Sequence, residues 1–392
     1  MPPVVALVGP VPPWRSGIAD QGARLVAAMR RLGHDPLVVT YRRMYPPFLY
    51  PGRADREEGH LLSPGGEWHA PLDGYNPLSF VAAARFVAER GAALAVVPWW
   101  TAFWGPHTAV FLATLGAESP RTVKLLLCHN VWDHETGPLS AALTHVVLRR
   151  ADRIAVQNRR AEAEVRAEFG EKPVAVLPHP SEPRAVLPER DDARARLGVP
   201  PDAPVFLFSG ILRPYKGWDL LLDAFREVRR EIPSALLVLA GEPWGDASRL
   251  AAEAGAAARG GRRFSGERPA FRGVRLELRY LPEEERTLWF AACDAVVCPY
   301  RHATGSGIAA DAIAFSRPVI GTRVDGLLDV VEEGASGLLV PPEDTRALAA
   351  AMVRFVREGL GPRLSAGAAA RARHFHPDAH ARRLLAFGSA LV

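Results

Sequence analysis

Short apolar runs and longer stretches of helical periodicity alternate along the whole chain. In the first half they predict strands at 4–9, 37–40, 93–98, 123–127, 154–156 and 174–177, and helices at 18–32, 78–90 and 138–150. Strands that are apolar throughout and alternate with amphipathic helices are typical of a parallel sheet covered by helices on both faces. Residues 41–77 are rich in proline, glycine and aromatic residues, so this segment is predicted to be a long irregular insertion.

The second half repeats the pattern after a proline-rich segment, PHPSEPRAVLP at 178–188, which is predicted to be a linker. Strands are predicted at 205–209, 235–241, 274–281, 295–299 and 318–322, and helices at 218–230, 246–259, 283–292 and 307–316. The predicted fold class is therefore α/β, with two doubly wound, Rossmann-like parallel-sheet domains. The domains are placed at 1–180 and 189–375, with 181–188 as the linker and a last helix at 376–392 that rejoins the first domain. Because ligands bind such sheets at the carboxyl ends of strands, we expect the site in the cleft between the domains.

The composition is that of a globular protein, with 48% hydrophobic and 23% charged residues. No apolar run reaches the ~18 residues that a membrane-spanning helix needs, and Met1–Gly9 lacks the basic leader of a signal peptide. The three cysteines are scattered, which argues against a disulfide framework or a zinc site and favours a reducing cytoplasm. The net charge of +5 comes without a charged tail, so nucleic acid is not an expected partner.

Two cations lie in the short loop between the predicted strand 205–209 and the predicted helix 218–230. They are Arg213 and Lys216, and Lys216 is one of only three lysines in the chain. In this position both side chains could donate charge-assisted hydrogen bonds to a diphosphate. The alternative is a solvated turn with two surface cations.

A second loop leads from the strand 295–299 into the helix 307–316 with the sequence RHATGSGIA. Its glycines allow a ligand to approach the backbone closely, and the amides and dipole of the helix start favour an anion. The alternative is an ordinary serine N-cap. Two such loops on one sheet edge predict a phosphate-bearing ligand, bound in the second loop by Thr304, Gly305, Ser306, Gly307 and Ile308.

A third glycine-containing loop, GPVPPWRSGIAD at 9–20, follows the first strand. Gly17 could bring backbone amides to a ligand there. The loop lacks the G-x-G-x-x-G fingerprint, which argues against a dinucleotide-dependent dehydrogenase.

Aromatic and basic residues follow two strands of the first domain. Trp99, Trp100 and Trp104 could stack on sugar rings or a lipid carrier, and a packed aromatic cluster is the alternative. Arg42, Arg43 and Arg53 could meet an acidic acceptor or membrane phosphates; the alternative is that they are simply solvated.

Several segments, in this order and spacing, resemble glycosyltransferase family 4, the retaining nucleotide-sugar transferases of GT-B fold. The resemblance covers nearly the whole chain. The segments that carry it include SGIADQGARLVAAMRRLGHDPLVV, LLLCHNV, ADRIAVQN, VAVLPHP, FSGILRPYKGWDLLLDAF, LVLAGE and PVIGTRVDGLLDVVEEGASGLLVPPED.

The resemblance implies roles for individual residues. Lys216 matches the lysine that binds the donor diphosphate, and Arg213 stands in for an arginine that the family often carries at the position of Ile211. His129 matches a histidine near the transferred sugar; the alternative is a histidine satisfied within the sheet edge. Asp311 matches the second of two carboxylates and would bind the ribose, unless it pairs locally with Arg301 or Arg317. The first carboxylate falls near Ala303 or Thr304, where this chain has none.

The implied activity is a metal-independent, retaining transfer of a sugar from a nucleoside diphosphate sugar, without a cofactor. The implied acceptor is a saccharide or a lipid-linked saccharide of cell-envelope or exopolysaccharide synthesis, at a cytoplasmic location with peripheral contact at the inner face of the membrane. Two alternatives stay open: a non-catalytic protein that binds nucleotide sugars, and another GT-B enzyme such as a nucleotide-sugar epimerase or a phosphorylase.

Overall fold

The chain forms two compact units, Met1–Pro180 with Pro377–Val392, and Ser181–His376. They are seen in a computed structural model that describes residues 2–45, 56, 68–132, 137–182, 187–244, 247 and 272–389.

A seven-stranded parallel sheet forms the centre of the first unit, with the strand order β3-β2-β1-β4-β5-β6-β7. Its strands are β1 Val5–Val8, β2 Leu37–Arg43, β3 Trp68–Asp73, β4 Leu94–Trp99, β5 Val123–Cys128, β6 Arg153–Val156 and β7 Val174–Val176. Its helices are α1 Gly17–Arg31, α2 Ser79–Glu89, α3 Gly105–Glu118, α4 Pro138–Arg150, α5 Arg159–Phe169 and, at the end of the chain, α13 Pro377–Ser389.

Local sequence explains these elements. The central strands β1 and β4 are buried along their whole length, as their continuous apolar sequences require. Helix α1 begins at the N-cap Ser16, whose hydroxyl accepts from the Ala19 amide, and Gly33 follows its end with a positive φ of 83°. Helix α13 packs against α1 and joins it through an ion pair of 2.7 Å between Asp378 and Arg31.

A six-stranded parallel sheet forms the centre of the second unit, with the strand order β10-β9-β8-β11-β12-β13. Its strands are β8 Val205–Ser209, β9 Leu236–Ala240, β10 Val274–Glu277, β11 Ala295–Cys298, β12 Val319–Thr322 and β13 Gly337–Val340. Its helices are α6 Arg190–Leu197, α7 Trp218–Glu231, α8 Glu283–Ala292, α9 Gly307–Ala314, α10 Asp325–Leu328, α11 Thr345–Arg357 and α12 Gly361–Phe375.

Both sheets reverse their strand order next to the first strand of the unit, at β1 and β4 in one and at β8 and β11 in the other. At such a switch point the loops that follow the two strands diverge and leave a crevice at the carboxyl edge. The loop with Arg213 and Lys216 follows β8, and the loop with Ser306 follows β11. The fold therefore places both predicted phosphate loops at the switch point of the second sheet.

The prediction of two doubly wound parallel sheets is confirmed, but the prediction for residues 41–77 is wrong in part. Strand β2 continues to Arg43, and β3 pairs with it in parallel at the edge of the sheet. The sequence of β3 contains Pro71, which weakens a strand pattern but is tolerated in an edge strand, and β3 is the edge strand of the sheet that the structure describes. The structure also contains strand β13 and the helices α3, α5, α6, α10, α11 and α12, which were not predicted. The predicted helix at 246–259 lies outside the described residues, apart from Ala247.

Among the helices that the structure describes, none combines the length and the apolar character needed to cross a bilayer.

Candidate nucleotide-sugar site

The loop between β8 and α7 turns sharply to bring Lys216 back over the end of its strand. Pro214–Lys216 forms one turn of 3-10 helix, in which the Lys216 amide donates to the Arg213 carbonyl at 3.0 Å. Gly217 then takes a positive φ of 65°, and a Cβ there would lie 2.0 Å from the carbonyl oxygen of Pro299. Only glycine fits this position, so the KG pair of the sequence has a steric cause.

Arg301, from the loop after β11, fixes the same turn from the other side. Its amide donates to the Tyr215 carbonyl at 2.8 Å and its guanidinium to the Pro214 carbonyl at 2.6 Å. It also forms a two-point ion pair with Asp219, with N–O distances of 2.9 and 2.6 Å. Burial raises the pKa of Asp219, but the hydrogen bonds and charge of Arg301 outweigh it and lower the pKa overall. The two loops of the switch point are thus joined by a charged, bidentate contact.

The Lys216 ammonium lies beside Gly210, whose φ is 99°. A Cβ on Gly210 would stand 3.1 Å from Lys216 Nζ and 3.2 Å from Ile308 Cγ1. The lysine and the first turn of α9 therefore meet over this glycine.

The ammonium has no counter-ion among the residues that the structure describes. Burial lowers the pKa of Lys216 to about 8; the neighbouring Cys298 raises it and the Arg213 cation lowers it further. A half-buried lysine without a carboxylate partner attracts an anion strongly, because little solvent screens it.

Arg213 is held a short distance away by an aromatic ring. Its guanidinium carbon lies 4.6 Å from the ring centre of Trp244, a cation–π contact. Trp244 is fixed in turn, because its amide donates to the Leu212 carbonyl at 3.1 Å. Arg213 keeps its charge and its donors in this contact, so it can still bind a phosphate.

The start of α9 keeps two amides available. Ser306 is 5% exposed and caps the helix: its hydroxyl accepts from the Ala309 amide and its carbonyl from the Ala310 amide, both at 3.0 Å. No described residue accepts a hydrogen bond from the amides of Gly307 and Ile308. These two donors, the positive end of the helix and the Lys216 ammonium form an anion-binding arrangement.

Helix α10 packs against the loop that precedes α9. The Gly326 amide donates to the Ala303 carbonyl at 2.8 Å, and a Cβ on Gly326 would lie 2.7 Å from the Gly305 nitrogen. Thr304 and Gly305 are half-buried. The backbone from 303 to 305 is therefore held in place at the position where the family resemblance implies a first carboxylate.

Asp311 lies inside α9 and is 4% exposed. Its carboxylate accepts from the Ser181 hydroxyl and lies 3.9 Å from Arg286. Sequence reasoning missed both partners, since neither belongs to a recognisable motif. The pairing with Arg301 or Arg317 that the sequence left open is not what the structure shows: Arg301 pairs with Asp219, and Arg317 donates to the Phe290 carbonyl.

His129 lies in the first unit, after β5. Its amide donates to the Trp99 carbonyl at 2.8 Å, and Nδ1 lies 3.1 Å from the side-chain nitrogen of Gln157. Burial lowers the pKa of His129 to about 3, and His179 and His380 lower it further. The imidazole is therefore neutral near pH 7. Gln157 could have been found from the sequence, because it directly follows the neighbouring strand β6.

Gly17 is the first residue of α1 and is exposed. A Cβ there would meet nothing within 4 Å, so the fold itself does not require glycine. That leaves room for a ligand beside the α1 N-terminus.

The tryptophans of the first unit lie at different depths. Trp99 and Trp104 are each 1% exposed and belong to the core, so the structure gives them a packing role. Trp100 is half-buried, and its indole N–H donates to the Tyr45 hydroxyl at 3.1 Å. The Trp104 indole donates to the same hydroxyl at 3.2 Å.

The two described arginines of this region are paired. Asp73 binds Arg43 and, at 2.9 Å, Arg42. The hydrogen bond from Arg43 holds the pKa of Asp73 at about 2, against the opposing effect of burial. Part of their charge is therefore compensated within the unit. Arg53 lies outside the described residues.

A metal site was not expected. Within the described ranges, no group of three or more His, Cys, Asp or Glu side chains is arranged to hold a metal ion.

Comparisons with known proteins relate this chain to glycosyltransferases. Residues 203–358 match the family model described as "Glycosyl transferases group 1". A D-inositol 3-phosphate glycosyltransferase of Nocardioides sp. is 37% identical over 211 residues, which cover 50% of this chain and 43% of that protein. The chain spans about half the length of the curated relatives it matches.

Solved structures of low sequence identity share the fold over both units. Sucrose-phosphate synthase from Thermosynechococcus elongatus superposes with a TM-score of 0.73 at 20% identity, covering 97% of each chain. HepE from Anabaena, in complex with UDP, gives 0.74 at 15% identity and covers 99% of this chain and 100% of that one. The predicted GT-B fold is confirmed. Residues 203–358 of the second unit are similar to group 1 glycosyltransferases, in agreement with the family resemblance.

Proposed function

We propose that the protein is a glycosyltransferase whose donor is a nucleoside diphosphate sugar. The observation that carries the proposal is the meeting of Lys216 with the first turn of α9 over Gly210, with no carboxylate among the described residues to neutralise the ammonium. A diphosphate has enough negative charge and enough oxygen atoms to accept hydrogen bonds from the ammonium and from the amides of Gly307 and Ile308 at the same time. The match of residues 203–358 to a glycosyltransferase family and the UDP complex of HepE support this ligand.

In the proposed reaction the bond between the anomeric carbon and the diphosphate oxygen breaks, and a bond from that carbon to the acceptor oxygen forms. The acceptor attacks on the face that the diphosphate leaves, so the anomeric configuration is retained. The acceptor proton passes to an oxygen of the departing diphosphate, and the second product is a nucleoside diphosphate. Lys216, Arg213 and the α9 amides would stabilise the charge that develops on the leaving group. The reaction is proposed to need no metal, because these groups supply the positive charge.

Two further residues have proposed roles in binding. Asp311 is proposed to accept a ribose hydroxyl in addition to its hydrogen bond from Ser181. In the first unit, His129 is proposed to hydrogen-bond a sugar hydroxyl, which suits a neutral imidazole.

The acceptor is proposed to be a saccharide or lipid-linked saccharide of envelope or exopolysaccharide synthesis, in the cytoplasm or at the inner face of the membrane. The family resemblance supports the acceptor class. Free, buried cysteines support a reducing compartment: Cys128, Cys293 and Cys298 are all of this kind. The relatives named D-inositol 3-phosphate glycosyltransferase make inositol phosphate a further acceptor to test.

One observation favours a second function, that of a non-catalytic nucleotide-sugar binder. Ala303 and Thr304 stand where the family resemblance implies the first carboxylate, and α10 holds the backbone there. A protein that binds the donor without this contact could lack turnover.

The experiment incubates the protein with UDP-, GDP-, ADP- and dTDP-sugars and a panel of sugar, inositol phosphate and lipid-linked acceptors, with and without a metal chelator. We expect one donor to be consumed only when its acceptor is present, equally well in chelator, with the product retaining the donor's anomeric configuration by NMR. Loss of activity in chelator that magnesium restores would contradict metal independence. Saturable donor binding without turnover on any acceptor would favour the binder.

A further inference from the structure

Tyr300 lies in the loop between β11 and α9, and it is 3% exposed. Its hydroxyl oxygen is 3.2 Å from Ser306 Oγ. A buried phenol whose hydroxyl has a polar partner is held in a more definite position than a tyrosine that only fills space.

The phenol keeps its proton near pH 7, because burial raises the pKa of Tyr300 well above its ordinary value. In their contact the phenol and the Ser306 hydroxyl can each donate or accept. Ser306 Oγ also accepts from the Ala309 amide, so the contact with Tyr300 and the cap of α9 share one oxygen atom.

The main chain of Tyr300 is held as well. Its carbonyl accepts from the Thr322 hydroxyl at 2.5 Å, which ties the loop to the end of β12. The ring of Tyr215, from the loop that carries Lys216, meets the Tyr300 ring edge-on at 6.5 Å between centres. Tyr300 therefore contacts both loops of the proposed diphosphate site.

We propose that Tyr300 is a positioning residue of this site: its hydroxyl holds the Ser306 side chain in its capping position, which aims the amides of Gly307 and Ile308 at the diphosphate. The inference rests on the proposed function. It adds a residue that no motif of the sequence indicated. Tyr300 acts through Ser306 and does not itself touch the ligand.

The test compares the affinities of UDP, GDP and ADP with those of their monophosphates, in the full chain, by titration calorimetry. The variants are Tyr300→Phe, Ser306→Ala and the double variant. Thr287→Val is the matched control, because it removes another buried hydroxyl of the same unit, one that donates to the Glu283 carbonyl at 2.9 Å.

We expect Tyr300→Phe to weaken diphosphate binding about threefold to tenfold, the effect of one hydrogen bond, and to change monophosphate binding by less than about twofold. The double variant should be no weaker than Ser306→Ala alone, because both changes act through one contact. Thr287→Val should leave both affinities unchanged. A selective loss of diphosphate affinity is a result that general destabilisation would not give.

An unchanged preference for diphosphates in a folded Tyr300→Phe protein would overturn the inference, and so would strictly additive effects in the double variant. If Tyr300→Phe does not fold, Ser306→Ala is the test. The inference requires this variant to lose affinity for diphosphates and not for monophosphates, and an unchanged diphosphate affinity would overturn it. Failure of the wild-type protein to bind any of the diphosphates would overturn the proposed function and this inference together.

Discussion

Lys216 and Ile308 lie over the same glycine: Nζ of the lysine and Cγ1 of the isoleucine stand 3.1 and 3.2 Å from the point that a Cβ on Gly210 would occupy. The two residues come from different loops, one after β8 and one after β11. Their closeness depends on the missing side chain at 210 and on the left-handed backbone that glycine permits there.

Gly210→Ala should therefore impair the site as well as the fold. We expect a loss of about 1–2 kcal/mol in the free energy of unfolding from the positive φ, and a clear loss of nucleoside diphosphate affinity as Lys216 is displaced. Gly359→Ala is the matched control, since Gly359 also has a positive φ of 58° but has open space around it. It should lose similar stability and no affinity. Equal affinities in the two variants would contradict the role of Gly210.

Diphosphate affinity should depend on the charge of Lys216. Because the pKa of Lys216 is lowered to about 8, we expect the affinity to fall about twofold from pH 7 to 8 and more steeply at higher pH, as the ammonium loses its proton. Lys216→Arg should move this fall beyond the range measured, because a guanidinium stays charged. An affinity of the wild-type protein that is flat to pH 9.5 would contradict the prediction.

The lowered pKa of Lys216 has the opposite effect on the stability of the fold, which it increases as the pH rises. The folded pKa of Lys216 lies below its ordinary value of 10.5, so the unfolded chain binds more protons between about pH 8 and 10.5. The contribution of this group to the free energy of unfolding therefore rises with pH in that window. The deprotonation of Lys216 therefore does not destabilise the fold above pH 8. A fall in affinity there is then not caused by unfolding through this group.

The local sequence was sufficient to predict the two loops of the site and most of the strands and helices around them. The strand order, which the structure shows, puts the loops of Lys216 and Ser306 side by side. Gly217 shows how a short motif carries steric information, since its close approach to the Pro299 carbonyl excludes any side chain.

Contacts that join distant parts of the chain could not be predicted. Ser181 binds Asp311 across 130 residues, and no periodicity or turn signal connects them. Trp99 and Trp100 are neighbours with the same chemistry, yet one is in the core and the other half-buried, because successive side chains at a strand end point to opposite faces. Depth of burial depends on what packs above a strand, and a single sequence does not show it.

Acid should destabilise the first unit through a buried imidazole. His380 is 3% exposed, and burial lowers its pKa to about 3. The hydrogen bond to the Pro178 carbonyl raises the pKa, while the charges of His179 and Arg383 lower it. The unfolded state, with a pKa of about 6.5, takes up a proton first as the pH falls. The stability contribution of this group is therefore complete above pH 6.5 and is lost progressively toward pH 3.

His380→Gln should reduce this pH dependence, since glutamine can still donate to the Pro178 carbonyl but does not titrate. Between pH 7 and pH 5 we expect the variant to lose about 2 kcal/mol less unfolding free energy than the wild-type protein, measured by urea denaturation. His302→Gln, at an exposed histidine, serves as the control. The same pH dependence in His380→Gln and wild type would show that His380 is not a source of the acid sensitivity.

The most direct measurement is the titration of the wild-type protein, Lys216→Ala and Lys124→Ala with UDP, GDP and ADP by calorimetry. Lys124 is the matched control, because its ammonium pairs with Asp152 at 2.8 Å in the first unit. We expect the wild type and Lys124→Ala to bind one of the three nucleotides equally tightly at a single site. Lys216→Ala should bind it at least about tenfold more weakly, as expected for the loss of a hydrogen bond from a charged group, with a melting temperature no lower than that of the wild type. Binding of none of the nucleotides by the wild type, or equal binding by a folded Lys216→Ala protein, would contradict the proposed donor site.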